Sequence, residues 1–174
     1  MTGTVAGRLA MEGLELPDPL PPFGLYVPAM RTGDLVFLSG AGPVRADGSI
    51  VRGRVGTGPG DLPVADARDA ARLTGLRLLA ALRAEIGELD RVERVVKVLG
   101  FVRCAPDFTD QPAVVDGCSE LLVEVLGEAG RGARSAVGVV ALPFGIPVEV
   151  EAVVQVAVPE TGPPTGVDVT APLD

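Results

Sequence analysis

The chain has no histidine, no tryptophan, one tyrosine and two cysteines among its 174 residues. Without histidine, neither a His–Asp–Ser nor a Cys–His relay can be assembled. Cys104 and Cys118 are too few for a four-ligand zinc site, so no metal is expected. Both read as buried structural thiols, with a single disulfide between them as the alternative. Aromatic residues make up only 3% of the chain against 47% hydrophobic residues overall, so Val and Leu must fill the core. Positive charge is scarce as well: 15 Lys and Arg face 23 Asp and Glu, a net charge of −8. That balance excludes a broad nucleic-acid surface, which needs clustered cations. No run of about eighteen apolar residues occurs, and no charged-then-apolar leader opens the sequence. The expectation is a soluble, cytoplasmic protein with no membrane partner.

What is present suits one domain over residues 15–158. Residues 1–14 are small and weakly patterned, read as a flexible N-terminal arm or a short edge element. Pro17, Pro19, Pro21, Pro22 and Pro28 then rule out helix and favour an extended entry segment. Residues 35–39 (LVFLS) form a short apolar run bounded by glycines, hence a buried strand. Asp47–Gly48 predicts a tight connection between residues 42–44 and 50–54. The loop GTGPG at residues 56–60 has the glycines of a phosphate cradle. It lacks the Lys-Ser/Thr ending of a P-loop and the full dinucleotide fingerprint, so it reads as a flexible lead-in and no cofactor is expected.

A long helix is predicted over residues 63–86, with Pro63 in its first turn, Asp66 complementing its dipole and Gly87 ending it. Leu73, Leu76, Leu79, Ala80, Leu82 and Ile86 supply its core stripe, and Arg68, Asp69 and Arg72 its wet side. Residues 92–102 (VERVVKVLGFV) read as a central strand. A second helix over residues 111–126 has Asp110 or Thr109 as cap, Gly127 as stop, and Val114, Val115, Cys118, Leu121, Leu122 and Val125 as apolar stripe. From Pro159 onward the composition turns to Pro, Gly and Thr, and residues 159–174 are expected to be disordered. The order of elements predicts an α+β fold, a single mixed β-sheet with two helices packed on one face. Several strands are apolar on both sides, so the other face is expected to be covered by self-association.

The stretch from Gly130 to Val158 carries the most information. It reads as two strands joined by a short turn holding Pro143, Gly145 and Pro147. In the second strand Val148, Val150, Ala152, Val154, Val156 and Val158 fall on one face, and Glu149, Glu151 and Gln155 on the other. Arg134 heads the first strand among small residues, where its planar fork can hold a carboxylate; the alternative is an ion pair with Glu149 or Glu151. A tight turn near Phe144–Gly145 would set Glu149 opposite Val140, roughly 20 Å along the strand from Arg134 at about 3.4 Å per residue. Either the hairpin is offset, or each cleft draws residues from two chains.

Three segments, PPFGLYVPAMRTGDLVFLSG, VVKVLGFVRCAPDF and ARSAV followed by LPFGIPVEVEAVV, resemble the RidA/YjgF/L-PSP family over roughly residues 16–158. The resemblance implies a chorismate mutase-like fold and a homotrimer with clefts between subunits. It implies hydrolysis of reactive 2-imino and enamino acids to 2-oxo acids and ammonia, without cofactor or metal. Arg134 would grip the substrate carboxylate and Glu149 orient or activate water. Gly40 of the Ser39–Gly40 pair would offer backbone groups near the substrate nitrogen, and Tyr26 would line the cleft from the neighbour or serve in packing. Three positions depart from the family's usual pattern: Ala136 stands for cysteine, Asp116 for asparagine and Ala41 for glutamine. Asp116, unless it is simply a solvated helix residue, would repel a bound carboxylate, and the alanines would make room for a larger ligand. The other functions to weigh are a non-catalytic binder of small carboxylates in the same clefts, and the ribonuclease of the family's older name. A chain that is acidic and free of histidine argues against the last.

Overall fold

The computed structural model describes residues 3–19, 21–22 and 24–158. The expected disorder of residues 159–174 lies outside them. Five strands form one mixed sheet: β1 (Ala29–Thr32), β2 (Leu35–Ala41), β3 (Val92–Arg103), β4 (Ala133–Val139) and β5 (Val148–Val156). Two long helices, α2 (Val64–Ile86) and α3 (Gln111–Leu126), cover one face. A third, α1 (Val5–Met11), lies in the stretch expected as an arm. Thr4 caps it by accepting from the Gly7 N–H, and Val5 is buried. Arg8 Nε donates to the Val125 carbonyl (2.6 Å) and the Val5 N–H to Asp90 Oδ1 (2.9 Å), which ties α1 to the rest of the domain.

The strand order is β1-β2-β5-β3-β4, antiparallel throughout except for the parallel pair β3–β4. This corrects the expected hairpin. β4 and β5 are neighbours in sequence and run in opposite directions, but β3 lies between them and pairs with both. The helix between β3 and β4 gives the reason, because a strand, a covering helix and a second strand close as a parallel unit. β4 is thereby sent to the sheet edge. The chain then crosses the end of β3 through a single 3-10 turn, Pro143–Gly145, to enter β5 at the centre.

α2 begins after Pro63 and stops at Gly87, whose φ of 84° suits glycine. Of the expected stripe Leu79, Ala80, Leu82 and Ile86 are buried, while Leu73 and Leu76 are only half-buried. Ala67, Ala70, Ala71, Thr74 and Gly75 extend the buried face toward the start of the helix. Small residues let α3 come close: a Cβ on Gly117 would collide with the Arg68 carbonyl oxygen. Thr74, the one buried polar side chain among the described residues, donates back to the Ala70 carbonyl (3.0 Å). The α3 stripe is buried as expected, though the Asp110 side chain makes no capping bond.

The alternation of β5 holds. Val148, Val150, Ala152, Val154 and Val156 are buried under the helices, and Glu149, Glu151, Val153 and Gln155 face the other way. That second face carries no helix. Met30, Phe37, Val96 and Val137 are exposed on or beside it, and Lys97 Nζ donates there to Ser135 Oγ (2.7 Å). Among the described residues, no helix is long and apolar enough to cross a membrane.

Candidate functional site

Arg134 lies near the start of β4, opposite Val98 of β3. Val98 points into the helix-covered core, and paired residues on neighbouring strands share a face, so Arg134 emerges on the helix side. There its Nη1 donates to Asp116 Oδ1 (2.6 Å) and Ser119 Oγ (3.1 Å), both on α3. Among the described residues both bonds use Nη1. The Nε–Nη2 edge of the guanidinium is the one placed for a planar anion. Val98, Asp116, Ser119, Val123, Gly132 and Arg134 are among the residues lining a shallow cleft of about 450 Å³ here. Ser119 was not singled out from sequence; the signal was its position three residues after Asp116, on the same helix face.

Glu149 occupies a second and larger cleft of about 520 Å³, together with Tyr26, Ser39, Gly40 and Ala41 of the same chain. β2 and β5 lose register between Leu38 and Ala41, and Gly40 sits in that irregularity. The carboxylate of Glu149 fills the space where a Cβ on Gly40 would stand, with the carboxyl carbon 2.9 Å from it. Only glycine leaves that room. Burial, and secondly the neighbouring charge of Glu151, hold the Glu149 carboxyl above its ordinary value of 4.5. Glu151, two residues on, lines an adjoining recess on the open face that shares Tyr26 and Ser39 with the Glu149 cleft. Ser39 Oγ donates to the Val27 carbonyl (2.7 Å), which pins the entry segment against β2.

Arg134 and Glu149 do not meet within one chain. Arg134 stands level with Val98, and Glu149 with Phe101. Three residues along the strand and two strand spacings put their backbones roughly 14 Å apart, not the 20 Å a hairpin implied. An odd offset also places them on opposite faces of the sheet. The two clefts share no lining residue. Ala136, opposite Gly100, packs against the core and lines neither cleft.

Phe144, which lines the Glu149 cleft, holds φ 57°, the only non-glycine residue with positive φ among those described. Arg52 Nε donates to its carbonyl (3.0 Å), and Arg103 Nη1 donates to those of Gly145 (3.2 Å) and Gly53 (3.3 Å). No local sequence signal marks this residue. The glycine-rich loop is closed by its own chain, since the Gly58 N–H donates to Asp61 Oδ2 (3.1 Å). The Arg54 guanidinium, bonding Asp61 at 2.7 Å, holds that carboxyl below the ordinary range. Cys104 and Cys118 are free thiols, and burial pushes the Cys118 thiol up to about 12. No cluster of metal-ligating side chains occurs among the described residues.

A family model described as "YjgF/chorismate mutase-like, putative endoribonuclease" matches residues 6–150. Protein TCP17 of Trypanosoma cruzi is 41% identical over 155 residues, covering 88% of this chain and 95% of that protein. The crystal structure of Atu1372 from Agrobacterium tumefaciens, described as of unknown function, superposes with a TM-score of 0.80 at 41% identity, over 88% of this chain and 92% of that one. A protein of Shewanella oneidensis described as a "putative endoribonuclease" gives 0.83 at 30% identity, over 88% and 100%. The YjgF gene product of Escherichia coli gives 0.55 at 25% identity, over 81% and 94%.

Proposed function

The chain belongs to the YjgF/chorismate mutase-like family, and from that premise we propose that it hydrolyses reactive 2-imino and enamino acids to 2-oxo acids and ammonia. The reaction takes place in clefts between the subunits of a homotrimer. The observation that carries this reading is the separation of Arg134 and Glu149 onto opposite faces. A site using both needs two chains, and the open face with Met30, Phe37 and Val137 supplies an apolar surface for joining them.

Arg134 of one subunit offers its Nε–Nη2 edge to the substrate carboxylate, with Asp116 and Ser119 holding the other edge. Glu149 of the next subunit faces the imine carbon. An enamine first tautomerises to the imine, which as its N-protonated form is already electrophilic. Water adds to C2 while Glu149 takes one of its protons, giving a carbinolamine. The proton then passes to nitrogen, the C–N bond breaks, and the hydroxyl oxygen closes the carbonyl as its proton leaves with ammonia. Iminium and water thus become 2-oxo acid and ammonium. The raised proton affinity of Glu149 suits the base in this sequence.

A second reading, a non-catalytic binder of small carboxylates, is favoured by the existing Arg134–Asp116 pair, which partly neutralises the guanidinium. The two are separated by following 2-oxo acid release from an imine generated in situ by a dehydratase acting on serine. Wild type should accelerate release and Glu149→Gln should not. Release at the buffer rate with both proteins would leave the binder.

A further inference from the structure

The Glu149 cleft is far larger than the smallest substrate the proposed chemistry requires. A three-carbon imino acid has six non-hydrogen atoms and takes on the order of 100 Å³, judged against about 30 Å³ for a water molecule. The cleft holds about 520 Å³. Its lining includes an apolar lobe formed by Val44, Ile50, Leu78, Ala81 and Ile146. These come from three separate parts of the fold: the turn between residues 43 and 50, helix α2, and the crossover into β5. Arg77 also lines the cleft and donates to the carbonyls of Asp18 (3.0 Å), Val44 (3.3 Å) and Arg45 (3.2 Å). Arg77 thereby fixes the turn and the entry segment against α2 and keeps the lobe open.

Phe144 also lines the cleft, in a backbone conformation unfavourable for a phenylalanine; Arg52 bonds its carbonyl and Arg103 that of the next residue, Gly145. Residues in such backbone conformations cluster at active sites and ligand clamps. We propose that this lobe receives the apolar side chain of the substrate, so that the protein acts on imino acids with branched-aliphatic or aromatic side chains in preference to the three-carbon compound. The inference rests on the imino-acid reading only for the reacting end of the ligand. The lobe itself is defined by its apolar walls.

Calorimetric titration of two matched probe series tests it. One runs from pyruvate through 2-oxobutanoate and 2-oxopentanoate to 4-methyl-2-oxopentanoate; the other consists of methyl ketones of the same chain lengths, without carboxylate. Wild type should bind the oxo acids about fourfold more tightly per added methylene. Ala81→Leu, which fills the lobe, should keep pyruvate affinity and lose that dependence. If affinity rises with chain length in the ketones and the carboxylate adds nothing, the lobe stands and the carboxylate site of the proposed function falls. Affinity independent of chain length in wild type, or no binding in either series, overturns the lobe, whatever the behaviour of the variant.

Discussion

The carboxylate of Glu149 rests in the space that a Cβ on Gly40 would occupy. The register irregularity of β2 and the missing side chain at one position therefore place the acid in its cleft. Gly40→Ala must push the carboxylate out or part the strands. Hydrolysis of the imine should fall about tenfold or more, as expected for a misplaced reacting group, while circular dichroism stays that of wild type. Full activity in Gly40→Ala would show that this close approach has no bearing on the chemistry.

Asp116 both holds and neutralises Arg134. Replacing it with asparagine keeps a hydrogen-bonding partner and removes the competing negative charge. Asp116→Asn should bind a 2-oxo acid up to about fivefold more tightly, within the ~1 kcal/mol range of a partly exposed ion pair, and the gain should shrink in high salt. Weaker binding would mean that the carboxylate of Asp116 is needed to aim the guanidinium.

The pH dependence follows from the raised proton affinity of Glu149. Its acidic rate limb should lie above the ordinary glutamate value of 4.5. Stability should show the same group with the opposite sense. A carboxyl whose pKa is raised by folding binds more protons folded than unfolded, so it costs stability as pH rises from 4.5 through the raised value. Glu149→Gln should therefore melt above wild type at neutral pH, and the difference should close as pH falls below 4.5. A constant difference in melting temperature across that range would remove the linkage.

The helices were legible because their ends are chemically marked. Pro63, Gly87 and Gly127 bound α2 and α3, and an apolar stripe at helical spacing runs along α3. The faces of β5 were legible for the same reason, since alternation fixes which side each residue takes. Alternation does not say which strand lies alongside, and so the apparent hairpin proved to be split by β3. The small-residue face of α2 escaped notice because Ala and Gly carry little apolar signal, although close helix packing depends on them. Of the site, Arg134, Glu149 and Gly40 could be read from residue type and resemblance. The ties between Arg134 and Ser119 and the conformation of Phe144 arise from tertiary contacts with distant segments, and no local pattern records them.

In the proposed reaction one working site takes Arg134 from one chain and Glu149 from another. Co-expression of Arg134→Ala and Glu149→Gln subunits with different tags, followed by purification of the mixed assembly, tests it directly. Each variant alone should be inactive. In a cyclic trimer that contains both variants, about one cleft in three pairs an intact Arg134 with an intact Glu149, so about that fraction of wild-type imine hydrolysis should return. A mixed assembly as inactive as its parents would contradict the shared site.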